Sequence, residues 1–377
     1  MADRYDPEPD MTLKEKIGQL FMVGFEGSSP SKAVIRLIKE FQIGGVILFA
    51  RNLRSPSQTA KLCNALQVQS PKMPLLISID QEGGRVSRLP KGFTVFPGGA
   101  QLAACHSTEL AYRVAQATAR ELRSVGINMN LAPVLDVNTN PANPVIGDRA
   151  FGASPTLVSS MGLTMMAGLQ DNHVIACGKH FPGHGDTGTD SHKELPRVPH
   201  DLQRLREVEL RPFLHIIPNG LASIMTAHVL YPKLDPDEPA TLSKRIITGL
   251  LREGLRFKGV VVTDDLEMAA ISDRHGPGEA AVKAIEAGAD LILFCRDEDK
   301  QREALEAVAN AVKHKKISEA RIEQSLLRIL QMKEKYILPY QPADSAQVKE
   351  IVGSSSHKHL LEEVKERAEA PVAVKAG

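Results

Sequence analysis

"GVVVTDDLEMAA" (residues 259–270) runs a glycine, three valines and a threonine into two adjacent aspartates, and a helix-like segment follows. An unbroken β-branched run suits a strand buried on both faces, as in a parallel sheet. The same unit recurs along the chain as "LFMVGF" (20–25), "GGVILFA" (44–50), "PLLISID" (74–80), "MNLAPVLDV" (129–137), "VIACGKHF" (174–181), "ASIMTAHV" (222–229) and "ADLILFC" (289–295). Between these runs, segments such as "SPSKAVIRLIKEF", "SQTAKLCNALQ", "TELAYRVAQATARELRSVG", "LVSSMGLTMMAGLQD" and "GEAAVKAIEAG" carry apolar residues at helical spacing. Eight strands alternating with helices predict an α/β fold, a (β/α)8 TIM-type barrel, with a doubly wound open sheet as the alternative.

A barrel places its chemistry just after the strands. Here the third strand ends in "DQEGGRVSRL", the fourth in "DVNTNPANPVIGDRAFG", the sixth near His228 and the seventh in "TDDLEM", while the fifth runs into a polar loop. The expected catalytic domain spans 1–340. After Lys335, "ILPYQPADSAQ" breaks the last helix, and 341–377 reads as a short appendage, a small amphipathic helix with a polar tail that is partly mobile.

Composition narrows the function. The chain has 377 residues, 42% of them hydrophobic, which is ample for a large core. A formal net charge of +1 argues against nucleic acid or an anionic membrane as partner. Tryptophan is absent and aromatics are 4%, so a stacking surface is not expected. Cys63, Cys105, Cys177 and Cys295 are scattered and read as buried small residues rather than a disulfide framework. The first residues are charged and lack a signal core, and no run approaches the roughly 18 apolar residues of a membrane span. A cytoplasmic monomer is the expectation.

The fifth strand and its loop, "GKHFPGHGDTGTDSHKELP" (178–196), hold three histidines, three acids and two lysines among four glycines and two prolines. His180, His184, Asp186, Asp190 and His192 offer metal-binding atoms, but no ligand spacing such as HExxH appears. A phosphate cradle would need a glycine loop leading to Lys-Ser/Thr and a helix, which is absent. Proton transfer is the third reading. Asp190 lies two residues from His192 and can hydrogen-bond one ring nitrogen, raising the basicity of the other. Turn and cap satisfaction is the plain structural alternative. The glycines, with nothing apolar to anchor them, predict a mobile segment over 183–194.

Of Asp264 and Asp265, one is expected to cap the next helix and the other to enter the barrel mouth as a nucleophile or cation ligand. Period-two alternation does not say which. Asp80 can bind sugar hydroxyls, and Arg85, Arg88, Arg149, Lys179 and His180 add donors. Arg85 and Arg149 can equally pair with a carboxylate across the mouth.

Together "DQEGGRVSRL", "LAPVLDVNTNP", "GDRAFG", "KHFPGHGDTGTDSHKELP" and "TDDLEM" resemble the β-N-acetylglucosaminidases of glycoside hydrolase family three, bacterial enzymes that recycle cell-wall muropeptides. The resemblance covers about residues 11–338. It implies a retaining exo-glycosidase without metal or cofactor, acting on a small carbohydrate such as a GlcNAc-containing muropeptide or chitooligosaccharide. It implies Asp264 as nucleophile, His192 as acid/base polarised by Asp190, and Asp80, Arg88, Arg149, Lys179 and His180 as the grip on the terminal sugar. The chain looks too short for the second domain of larger members. Competing readings are a β-glucosidase or β-xylosidase, a GlcNAc phosphorylase of the same family, and a metal-dependent barrel hydrolase.

Overall fold

A computed structural model of the protein describes residues 11–370. The charged N-terminal residues and the end of the polar tail lie outside the described residues. Eight parallel strands follow in chain order: β1 Phe21–Val23, β2 Gly45–Leu48, β3 Leu76–Ile79, β4 Met129–Asn130, β5 Ile175–Phe181, β6 Ser223–Thr226, β7 Val260–Val262 and β8 Ile292–Phe294. Each pairs with its sequence neighbour, and β1 also pairs with β8. A parallel bridge from Val262 to Leu291 joins β7 to the start of β8. The sheet is therefore a (β/α)8 TIM-type barrel and not an open doubly wound sheet. Every strand residue is buried, as expected for strands covered by helices outside and packed side chains inside.

The strands are shorter than the apolar runs suggest, and the fourth most of all. Its regular ladder is only Met129–Asn130, and Pro133 has no N–H to donate, yet Leu131 N still donates to Ile79 O and the carbonyls of Ala132 and Pro133 accept from Cys177 N and Lys179 N. A bridge pairs Val134 with Lys179. Asp136 follows two residues later, fully buried.

The helices begin where the sequence offers caps. Ser31, Ser55, Ser107 and Ser154 each accept a backbone N–H from the first turn of Lys32–Phe41, Pro56–Gln67, Thr108–Ser124 and Pro155–Gln170. The sequence reading missed Arg245–Gly254, a widened π-type helix, because its apolar stripe begins amid polar residues. All four cysteines are buried. Among the described residues no helix is long and apolar enough to cross a membrane.

Beyond residue 340 there are two helices rather than one, Ser345–Ile351 and Ser355–Glu369. They are docked: Val348, Leu360 and Val364 are buried. The buried Glu121 accepts from Thr94 N (2.8 Å) and Gly353 N (3.0 Å) and meets His357 Nδ1 at 2.8 Å. This tie joins the segment to Thr108–Ser124.

Candidate active site

The C-terminal ends of the strands surround a cavity of about 370 Å³. Asp80, Arg88, Arg149, Lys179, His180, Asp190, His192 and Asp264 all line it. So do Glu82, Arg85, His184 and Asp265. Asp186, by contrast, turns away to Thr139 and His200, and His228 is buried against Thr241 and the Asp265 carbonyl.

One wall is an ion network. Lys179, only 2% exposed, places its Nζ 2.7 Å from Asp80 Oδ1 and 2.7 Å from Glu82 Oε1. Arg149 grips both oxygens of Glu82, Nε to Oε2 and NH2 to Oε1, each at 2.8 Å. Burial opposes charge on Glu82, but Lys179 and Arg149 beside it hold its carboxyl well below the usual range. Burial likewise opposes charge on Lys179, and Asp80 and Glu82 nevertheless raise it above an ordinary lysine. Both ions therefore stay charged at neutral pH. Arg149 takes the carboxylate-pairing option, and Arg85 does too, meeting Asp148 at 2.6 Å. Arg88 stands 4.0 Å from Asp80 and its buried Nε has no hydrogen-bond partner among the described residues, which leaves a donor in the cavity wall.

A second network lies behind His180. Asp136, fully buried, meets His180 Nδ1 at 2.7 Å and accepts the backbone N–H of His180 (3.2 Å) and of His184 (2.7 Å). Burial disfavours its charge, yet His180 and these N–H groups keep its carboxyl below the ordinary value. The carboxylate orients the imidazole and leaves Nε2 as its second hydrogen-bonding atom.

The two aspartates after β7 separate cleanly. Asp265 Oδ1 accepts from Glu267 N (3.1 Å) and Cys295 N (3.2 Å), tying the turn to the end of β8. Burial pushes it up to about 7. Among the described residues Asp264 accepts only the N–H of Asp265, at 2.8 Å. Burial opposes its charge, but His228, His180 and Lys179 hold it below an ordinary aspartate, so it is a carboxylate at neutral pH. Neither caps a helix: the next one, Ala269–Ser272, starts after Met268. The expected cap is instead an anchor between two strand ends.

His192 Nδ1 lies 2.9 Å from Asp190 Oδ1, and the same oxygen accepts the His192 N–H at 2.9 Å. The pair read from sequence spacing is thus formed, with His192 65% exposed at the rim. The expectation of an unanchored loop over 183–194 fails for its first half. His184 and Thr187 are buried, and Asn143 Nδ2 donates to His184 O (2.9 Å). Gly185 admits no side chain, since a Cβ there would sit 1.9 Å from Val137 O. Anchoring comes from polar contacts to the loop after β4, which a search for apolar residues overlooks. Among the described residues, no group of three or more His, Cys, Asp or Glu is arranged to hold a metal ion.

Sequence reasoning passed over Glu82 and Asp136. Both stand in strand-end motifs, and a buried cation such as Lys179, at the end of an apolar strand, was the available signal that a carboxylate had to face it.

The pattern of the glycosyl hydrolase family 3 N terminal domain matches residues 12–332. "Beta-hexosaminidase A" of Pseudoalteromonas piscicida is 38% identical over 94% of this chain and 66% of its own length. "Beta-hexosaminidase" of Alkalilimnicola ehrlichii is 41% identical over 73% of this chain and 80% of its own. The structure of a glycoside hydrolase family 3 β-N-acetylglucosaminidase from Paenibacillus sp. str. FPU-7 superposes with a TM-score of 0.90 at 48% identity, covering 95% of this chain and 69% of that one. The chain thus spans about two thirds of two of these relatives. With a family match over the whole barrel and a cavity at its strand ends, the chain belongs to glycosyl hydrolase family 3.

Proposed function

We propose that the chain is a retaining, exo-acting β-N-acetylglucosaminidase that removes terminal β-linked GlcNAc from cell-wall muropeptide fragments or chitooligosaccharides. The family makes it a glycoside hydrolase with a sugar substrate, and the relatives named above are β-hexosaminidases. The observation that carries the finer reading is the pairing of a charged, lightly bonded Asp264 with a hydrogen-bonded Asp190–His192 dyad on one cavity.

In this reading Asp264 attacks the anomeric carbon. The His192 imidazolium protonates the glycosidic oxygen as that bond breaks, leaving a covalent glycosyl-enzyme and a neutral imidazole. The imidazole then takes a proton from water, and the resulting oxygen attacks the same carbon and frees Asp264. Two displacements retain the β configuration. Asp190 orients His192 through its ring Nδ1. Asp80, Arg88, Arg149, Lys179 and His180 hold the terminal sugar, while Glu82 keeps Lys179 and Arg149 in place.

The test is turnover of a panel of aryl β-glycosides, with and without phosphate and a chelator. A strong preference for the 2-acetamido sugar, unaffected by chelation and yielding free GlcNAc, is expected. Equal kcat/KM on the β-glucoside would remove the aminosugar assignment. Release of the sugar 1-phosphate in phosphate buffer would make the enzyme a phosphorylase.

A further inference from the structure

Ser191 sits between the members of the dyad, yet its surroundings differ from theirs. Asp190 and His192 reach solvent, whereas Ser191 is buried. Its Oγ lies 3.1 Å from His184 Nε2, and its carbonyl accepts the N–H of Ala270 at 3.2 Å. One residue therefore joins the rim loop to the start of that loop and to the segment after β7, which carries Asp264.

The protons in this network can be assigned. Thr187 Oγ1 donates to His184 O (3.1 Å), and Asn143 Nδ2 donates to Thr187 Oγ1 (3.2 Å). With its own hydrogen used, Thr187 Oγ1 accepts from His184 Nδ1 at 2.8 Å. Burial, with His180 nearby, pushes His184 down to about 4, so the ring is neutral near pH 7 and carries its proton on Nδ1. His184 Nε2 is then an obligatory acceptor, and Ser191 Oγ–H is its donor.

We infer that His184 and Ser191 form a latch that fixes the Asp190–His192 pair over the leaving-group side of the cavity, making both positioning residues for proton transfer. This rests on the acid/base reading of His192. The reason is geometric. Gly188, where an added Cβ would meet nothing within 4 Å, begins an open stretch, and Ser191 is the buried point in it nearest the exposed imidazole. General acid catalysis requires the donor within hydrogen-bond reach of the departing oxygen, so loss of the pin spreads His192 over unproductive positions.

The experiment compares wild type, Ser191→Ala, His184→Asn, His192→Ala and the Ser191→Ala/His192→Ala double variant on a GlcNAc disaccharide and on an activated dinitrophenyl glycoside. For Ser191→Ala and His184→Asn, kcat on the disaccharide is expected to fall about tenfold, the order that one buried hydrogen bond supports, with a smaller loss on the activated glycoside and little change in KM. The double variant should be no slower than His192→Ala, because the latch acts only through that imidazole. Amide exchange over 188–194 should quicken in Ser191→Ala while 183–187 stays protected. If His192→Ala alone leaves disaccharide turnover intact, the acid/base reading falls. If His192→Ala is slow and rescued by azide but Ser191→Ala matches wild type, that reading stands and the latch is wrong. Additive losses in the double variant also overturn it.

Discussion

Glu82 receives Arg149 through two parallel hydrogen bonds of 2.8 Å and, on the same side, the Lys179 ammonium at 2.7 Å. One buried carboxylate thus bridges two cations in the barrel mouth, and Asp80 supplies the second negative charge beside Lys179.

Removing that carboxylate should unfold the mouth before it alters the chemistry. Glu82→Ala strips the buried Arg149 of its carboxylate and leaves Lys179 with Asp80 alone, and should cost about 3–5 kcal/mol, read as a lower denaturant midpoint at pH 7. Because the folded-state value is depressed, the stabilisation is present above the unfolded value of 4.5 and lost only as pH falls through the lower folded value. A Glu82→Gln variant should therefore lag wild type at pH 7 and approach it only in strong acid. An unchanged midpoint at pH 7 would show that the network is not stabilising.

The two proposed catalytic residues should separate by leaving group. Asp264→Asn should abolish turnover on every substrate. His192→Ala should slow disaccharide cleavage by about 10²–10⁴-fold and affect attack on an activated aryl glycoside far less. Deglycosylation also needs the base, so this variant should show a burst of phenolate, and azide should speed turnover to a β-linked azide. Equal losses on both leaving groups without rescue would exclude His192 from the role.

The loop should behave as two halves in amide exchange. Residues 183–187, held by Asp136, Asn143 and Tyr231, should be protected in the free enzyme, and the exposed part of 188–194 should exchange quickly. Uniformly fast exchange across 183–194 would contradict the anchoring by Asp136.

Lys333, fully buried, donates to Gln19 Oε1 at 2.8 Å, and burial pushes it down to about 7. The unfolded chain then binds an extra proton between about pH 7 and the ordinary value of 10.5, so this group adds stability as pH rises through that window. Relative to Lys333→Met, wild-type Tm should gain between pH 7 and 10. A difference independent of pH would place the charged form comfortably in the core.

The eight strands, their order and the concentration of acids and bases at one end were readable because those signals are local: a buried parallel strand is a short apolar run, and the residues next in the chain lie at its C-terminal end. The Asp190–His192 pair was readable for the same reason, being two residues apart. The partners that tune the site were not. Asp136 meets His180 across 44 residues, Glu82 meets Arg149 across 67, and Asp80 meets Lys179 across 99. Asp264 and Asp265 are chemically identical neighbours that both line the cavity; the N–H of Cys295 at the end of β8 helps make Asp265 an anchor, while neighbouring charge keeps Asp264 a carboxylate. Barrel closure brings these groups together, and with them the burial and neighbouring charge that set their protonation.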